Sequence, residues 1–534
     1  MVPRKKNRLI PLLISIFFML FMLFTACKNH IQKDLTKESI IPEPVSVKAT
    51  NSSFELTKKT VIYIEKDNAE IKQIAEYFSG IVNKSTGFNI KVKLFNKKFK
   101  SGNLYFSVSD SILKKHGKEA YKLKITEDFV LLSANSPEGL FRGIQTLRQI
   151  LPAKIESNTV QKGPWLIATG IIIDYPEYAY RGAMLDVARH FFPVKDIKRF
   201  TDLLAYYKIN VLHLHLSDDQ GWRIEIKSYP KLTSVGGKTQ VGGGKAGYYT
   251  QKDYKNIIKY AQKHYITIIP EIDMPGHINA ALASYPELNC NGKAPELYTG
   301  TDVGFSSLCV KKETTYQFID SVIGELAKLT PGNYIHIGGD ESHATKPKEY
   351  IKFINSVKHI VESHNKIMIG WDETANAAID DKNIIQFWAN EKNTLKGVRK
   401  GARVIMSPAK KIYLDMQYDS TTVFGLHWAG YIDVDTAYLW NPAAYIKGVS
   451  KKDILGIEAP LWTETVTKMK DIEYMVFPRL PGIAEIGWSS PEVRNWDDYK
   501  KRLGKHTERF KYLNINYYKS KLIPWNLNKN EKTF

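Results

Sequence analysis

The sequence predicts an α/β protein, a (β/α)8 TIM barrel preceded by a small α+β domain. Three observations carry this. From Tyr180 onward, eight short apolar strands alternate with amphipathic helical runs. Upstream of that point the rhythm is different, mixing strands with two helices. Polar and aromatic residues stand immediately past nearly every barrel strand, where a barrel of this kind builds its active site.

Taken in order, the chain opens with Arg4, Lys5, Lys6 and Arg8, an apolar run from Leu9 to Phe24, and then Thr25-Ala26-Cys27. A basic start, an apolar stretch and small residues before a cleavage point describe an export signal. Leu23-Phe24-Thr25-Ala26-Cys27 resembles a bacterial lipobox, which implies a lipid on Cys27 and an exported lipoprotein at the periplasm or cell surface, held to the membrane by its anchor. An uncleaved membrane anchor is the alternative. Residues 1–27 are thus assigned to the signal and 28–40 to a linker. From 41 to 173 the segments Val61–Ile64, Leu104–Val108, Leu123–Ile125 and Phe129–Leu132 read as strands. Ile71–Val82 and Pro137–Leu151 read as helices with apolar spacing near 3.6. No catalytic constellation falls in this domain.

The barrel is assigned to 174–500. Its strands are expected at Ala183–Val187, Val211–Leu216, Ile266–Ile272, Tyr334–Ile337, Ile367–Gly370, Ile384–Phe387, Arg403–Met406 and Leu455–Ala459. Helical runs such as Asp196–Tyr207, Gln251–His264, Lys312–Leu329 and Glu349–His364 separate them. Residues 501–534 form an extension packing on or trailing from the barrel. A doubly wound open sheet could use the same elements, but it would spread the strand-end residues along an edge, where they could not converge.

Those residues are Arg189 and His190 after the first strand, Ser217-Asp218-Asp219 after the second, and Glu271, Asp273 and His277 at the third. Gly338-Gly339-Asp340-Glu341 close the fourth, Trp371-Asp372-Glu373 the fifth and Trp388 the sixth. Tyr413 and Asp415 follow the seventh; Trp462 and Glu464 follow the eighth. Carboxylates beside tryptophans suit glycoside hydrolysis, which needs a proton for the leaving oxygen and negative charge near an oxocarbenium-like centre. A divalent metal held by His213, His215, Asp218, Asp219 and His277 is the main rival. However, the alternation of His213 and His215 with Leu212, Leu214 and Leu216 turns both imidazoles into the barrel interior. No metal and no cofactor is therefore expected. If Asp340 and Glu341 continue an extended strand, they point to opposite sides and cannot flank one bond as acid and nucleophile.

Several stretches resemble the glycoside hydrolase family 20 β-N-acetylhexosaminidases: RGAMLDVARHFF from Arg181, HLHLSDDQGWRIEI from His213, PEIDMPGH from Pro270, HIGGDE from His336, APLWTET from Ala459 and FPRLPGIAEIGWS from Phe477. The resemblance implies exo-acting, retaining removal of terminal β-linked GlcNAc or GalNAc through an oxazolinium formed by the substrate's own acetamido group. It implies Glu341 as acid/base, Asp340 as the carboxylate that orients the acetamido group, and Tyr413 as donor to its carbonyl. Asp218 and His277 would support Glu341. Arg189 and Glu464 would hold the sugar hydroxyls. Trp371, Trp388 and Trp462 would wall the pocket, with Asp415 and Trp428 close by.

Two alternatives stay open. One is a conventional retaining β-glycosidase with Glu341 as acid/base and Glu464 as nucleophile; the other is a non-catalytic glycan-binding homologue. The formal net charge is +21, and four of the cations belong to the signal. No Lys/Arg-dense helix or nucleic-acid motif organises the rest, so no nucleic-acid partner is expected and the partner is a glycan. If Cys27 carries lipid, Cys290 and Cys309 remain, an even pair that an oxidising compartment allows to bridge.

Overall fold

The computed structural model describes residues 31–96, 98–110 and 113–525. The export signal and Cys27 lie outside the described residues. The N-terminal domain is a seven-stranded sheet of β1 (Ser46–Glu55), β2 (Ile62–Ile64), β3 (Val92–Leu94), β4 (Asn103–Val108), β5 (Tyr121–Ile125), β6 (Phe129–Ala134) and β7 (Leu166–Asp174), in the order β1-β7-β5-β6-β4-β2-β3. Two helices, Ala69–Thr86 and Pro137–Ile150, cover one face. Both start on side-chain caps: the Asn68 carbonyl oxygen accepts from the Glu70 and Ile71 amides, and the Ser136 hydroxyl accepts from that of Gly139. The second is buried along almost its whole length, sandwiched between sheet and barrel.

The barrel strands are β8 (Tyr180–Asp186), β9 (Val211–His215), β12 (Thr267–Glu271), β13 (Tyr334–His336), β14 (Ile367–Trp371), β15 (Ile384–Phe387), β16 (Arg403–Met406) and β17 (Ile454–Leu461). All are parallel to their neighbours and the ring closes between β17 and β8. A two-residue ribbon, β10 (Ser217–Asp218) with β11 (Gly221–Trp222), caps the end of β9. Every residue of β8 and of β17 is buried, as parallel strands covered on both faces require. The barrel interior has two storeys. Tyr180, Val211, Ile269, Ile369, Ile384, Ile405 and Leu455 fill the lower one. Above them His213, Glu271, His336, Gln386 and Glu458 form a buried polar layer.

Leu35 and Ile40, in the segment assigned to the linker, are buried. Of the two arrangements open to the C-terminal extension, the structure has the packed one: Arg502 pairs with Glu485 at 2.8 Å, His506 meets the Ser39 carbonyl at 2.7 Å, and Arg509 donates to the Leu151 carbonyl at 2.6 Å. The extension clasps the two domains together.

Buried charges complete the junction. Glu119 meets Arg142 at 2.8 Å and Arg181 at 2.5 Å, and Lys208 meets Asp174 at 2.8 Å. Burial works to raise the Glu119 pKa, but Arg181 and Arg142 overcome it and hold it at about 2. A depressed carboxylate stabilises the fold above its unfolded pKa, and that contribution is lost as pH falls toward about 2. Glu119→Ala would leave the Arg181 guanidinium buried without a carboxylate partner and Arg142 with only Glu138, at 3.6 Å. It is expected to cost about 3–5 kcal/mol, read as a lowered midpoint in denaturant unfolding at neutral pH.

Candidate active site

The C-terminal ends of the strands surround a cavity of about 380 Å³, at the small end for ligand sites. Its lining includes Arg189, His277, Asp340, Glu341, Tyr413, Asp415 and Glu464, with Trp388, Trp428 and Trp462. Residues that follow six different strands thus converge, which an open sheet would not allow.

Asp340 and Glu341 do not extend β13, contrary to the expectation from strand alternation. The strand ends at His336, and Gly338, Gly339 and Glu341 have φ of 65°, 98° and 45°. The left-handed turn brings both carboxylates to one wall. Gly338 is required twice over, since a Cβ there would lie 1.9 Å from Asp273 Oδ1. Asp273 Oδ1 accepts from the Gly339 amide at 3.0 Å, and Tyr350 donates to the Gly339 carbonyl at 2.6 Å. Glu341, and His277 at φ 50°, hold strained backbone that this surrounding structure maintains.

His277 Nε2 lies 3.4 Å from Glu341 and 3.7 Å from Asp340, while its Nδ1 lies 3.4 Å from Asp218. Asp218 also accepts from Arg189 at 2.8 Å and contacts His215 Nε2 at 2.8 Å. His215 Nδ1 meets Glu271 at 2.6 Å, and Glu271 lies 2.9 Å from His213 and 3.1 Å from His336. The expected inward turn of His213 and His215 holds, and their ring nitrogens face carboxylates. The residues of the rival metal set are thereby engaged with one another in a charge relay that ends at the two catalytic-wall acids.

Burial opposes charge on His277, but Asp218, Glu341 and Asp340 together keep it protonated. Burial likewise opposes charge on Asp218, where Arg189 and His277 prevail and hold the carboxylate ionised. Asp340 is 8% exposed, and burial, reinforced by Asp273 and Glu341, pushes its carboxyl well above the usual range. Glu341 is more open. Burial raises it, yet His277 and Arg189 bring it below its ordinary value. The two neighbouring carboxyls are thus pushed in opposite directions, Asp340 up and Glu341 down.

Three buried acceptor atoms in the lining have no partner: Asp340 Oδ1 and both oxygens of Asp415. A buried polar group without a partner is costly, so these atoms call for donors on a ligand. Around them the rings are fixed. Tyr413 meets Trp428 edge-on at 5.9 Å, Trp388 meets Trp428 at 6.1 Å, and Arg189 stacks over Trp462 at 4.8 Å. Trp388 is aimed by its indole N–H, which donates to Glu373 at 3.1 Å. Asp372 accepts from the backbone amides of Trp388, Ala389 and Asn390 and so shapes the same loop.

Ten of the twelve residues expected at the site line the cavity; Asp218 and Trp371 do not. Asp218 lies one contact behind the wall, as a supporting role requires. Trp371 is fully buried, donates to Glu271 at 3.1 Å and packs 5.9 Å from Trp462, which lines the cavity. Thr301, Val303 and Leu426 also line it and were missed. The first two sit on a loop closed by a Cys290–Cys309 disulfide, and the spacing of that pair was the one available signal.

Carboxylates, an imidazolium and aromatic walls around a one-sugar cavity at the mouth of a (β/α)8 barrel define a glycoside hydrolase. Comparison with known proteins narrows this. Residues 178–491 match the catalytic domain of glycosyl hydrolase family 20, and 37–175 match domain 2 of that family. The chain is 35% identical over 491 residues to a β-N-acetylhexosaminidase of Cellulomonas fimi, covering 91% of this chain and 97% of that one. It is 34% identical to a β-hexosaminidase of Porphyromonas gingivalis, over 90% of this chain and 64% of the relative. Among solved structures, the Streptomyces plicatus N-acetyl-β-hexosaminidase in complex with Thio-NAglucal superposes with a TM-score of 0.89 at 45% identity, covering 92% of this chain and 99% of the other. The chain belongs to glycosyl hydrolase family 20.

Proposed function

We propose that the protein removes single terminal β-linked N-acetylhexosamine residues from glycans, with the substrate's acetamido oxygen as nucleophile. The observation that carries this is Asp340 Oδ1, a buried acceptor without a partner beside aromatic walls and a tyrosine. An acetamido N–H can donate to it, and the same group brings the carbonyl oxygen that a 2-hydroxyl sugar lacks. Accepting from the N–H fixes the acetamido group and stabilises the positive charge that develops as its oxygen closes onto the anomeric carbon. Tyr413 donates to that oxygen. Glu341 gives its proton to the departing glycosidic oxygen, then takes one from the water that opens the oxazolinium, and two inversions retain configuration. Retention by this substrate-assisted route is a known exception to the two-carboxylate scheme.

The substrate itself sets the protonation states. Burial pushes the Asp340 carboxyl up, while His277 and Arg189 draw Glu341 below its ordinary value. A sugar covering Glu341 removes its water and raises its pKa, while an amide N–H on Asp340 favours the anion there. The proton is then where the leaving group needs it.

A covalent route through Glu464 is the alternative; burial pushes that carboxyl upward, opposed by Arg189 and aided by Asp186 and Asp218. The decisive comparison uses aryl glycosides. The β-N-acetylglucosaminide is expected to be hydrolysed and the β-glucoside not, and a thiazoline analogue of N-acetylglucosamine is expected to inhibit. Brisk hydrolysis of the glucoside, or indifference to the thiazoline, would overturn the proposal.

The same reading places the enzyme outside the cytoplasm as a bacterial lipoprotein, supported by the basic start, the apolar run and Cys27 at the end of a lipobox-like stretch. Paired β-GlcNAc and β-GalNAc substrates would establish which epimer is preferred.

A further inference from the structure

Among the described residues, no helix covers the face of the N-terminal sheet turned away from the barrel. In β5 and β6 every second residue is buried under the helices, while the alternate ones, such as Lys122, Lys124, Phe129 and Leu131, remain partly or fully open. Phe95 and Phe99 lie at one end of this face, against Tyr105 and, for Phe99, Phe129. The Phe99 ring packs at 4.5 Å on Tyr105 and 5.1 Å from Phe95, yet is 51% exposed. The chain is pinned here: Tyr105 Oη accepts from the Lys100 amide at 2.5 Å and donates to the Lys100 carbonyl at 3.0 Å. Lys98 and Lys100 flank Phe99 in the chain, Lys91 and Lys93 stand at the edge strand β3 just before it, and all four are exposed. Among the described residues none of these four ammonium groups has a carboxylate within ion-pair distance. Leu94, at the sheet edge beside them, is 53% exposed.

The first described residue lies at the same end of the sheet, beside Glu55 and Glu127. Ile31 shares a surface hollow with Ser101 and Gly102, directly after Lys100. Residues 27 to 31 span at most about 14 Å when fully extended. An acyl chain on Cys27 would hold this face against the bilayer that the acyl chain enters.

We propose that Phe99 and these lysines seat the enzyme on an anionic bilayer, with the barrel mouth turned to the aqueous side. An apolar ring for the headgroup boundary, with cations beside it in the chain for lipid phosphates, suits such a surface. The orientation follows from the domain junction. The N-terminal domain binds the barrel at residues that precede or begin its strands: Arg142 donates to the Tyr265 carbonyl ahead of β12, and Asp174 holds Lys208 ahead of β9. The catalytic residues follow the strands, at the opposite end. Terminal sugars of soluble or overlying glycans would reach the cavity, and headgroups of the enzyme's own membrane would not. The tether rests on the lipoprotein reading; the surface is tested without it.

The chain from residue 28, unacylated, is mixed with phosphatidylglycerol–phosphatidylcholine vesicles and with pure phosphatidylcholine vesicles, and sedimented. Binding to the anionic vesicles alone is expected. Each lysine at such a surface is worth about fivefold in partitioning, so K91E/K93E/K98E/K100E is expected to weaken binding at least about tenfold, and F99S to weaken it less. Both variants should hydrolyse a soluble aryl glycoside at the unaltered rate, which shows that they fold. No preference for the anionic vesicles, or equal binding by the variants, would overturn the proposal. So would loss of chitin or mucin capture in the same variants without change in vesicle binding, which would assign the face to glycans. Acylation is read separately, from the mass of the N-terminal peptide of the cell-derived enzyme. Its absence would withdraw the tether while leaving the vesicle result to decide the surface.

Discussion

Glu341→Gln is expected to lower turnover of a disaccharide or alkyl glycoside by about 10²–10⁴-fold, the usual worth of a positioned general acid. The amide keeps the shape of the side chain beside His277, which lies 3.4 Å from the carboxylate, but has no acidic proton. The loss should depend on the leaving group. Aryl glycosides with acidic phenols need little protonation, so their first step should be spared while unactivated substrates suffer in full. A uniform loss across leaving groups would mean that the residue shapes the cavity and does not supply the proton. Comparison of kcat/KM over a series of phenols of different acidity makes the distinction.

The second large effect is expected at Asp340. Asp340→Asn removes the anion that steadies the developing charge on the acetamido nitrogen. Loss of one such preorganised group typically costs about 10²–10³-fold. The same substitution should not destabilise the fold, because Asp340 Oδ1 has no partner and burial already disfavours the charged carboxyl. An unchanged or raised melting temperature beside a collapsed rate would identify a residue held at a cost for function. A lowered melting temperature with a proportionate loss of activity would make its role structural.

The eight barrel strands were legible in the sequence because parallel strands buried on both faces read as short continuous apolar runs. The companion domain was less so. β1 is mostly polar and breaks register between Ala49 and Ser53, and β7 carries Gly170, whose missing Cβ would lie 2.2 Å from the Lys48 carbonyl. Both strands escaped for that reason, and β3 is only three residues long. The site was legible wherever a residue directly follows a strand. Thr301, Val303 and Leu426 come from long loops whose approach to the mouth no periodicity records. The adjacent acids were read as a continuation of β13, and the left-handed turn at Gly338 and Gly339 reverses that. It is the turn, not strand alternation, that sets Asp340 and Glu341 on one wall against one imidazole.

The central claim is that the nucleophile belongs to the substrate. The most direct measurement is kcat/KM for aryl β-glucosaminides whose N-acetyl group carries none, one, two or three fluorines. Fluorine withdraws electrons from the amide oxygen and barely alters its size. The account predicts a steep, progressive fall in rate with each fluorine. A rate that stays level across the series would contradict it and return the chemistry to a nucleophile on the protein.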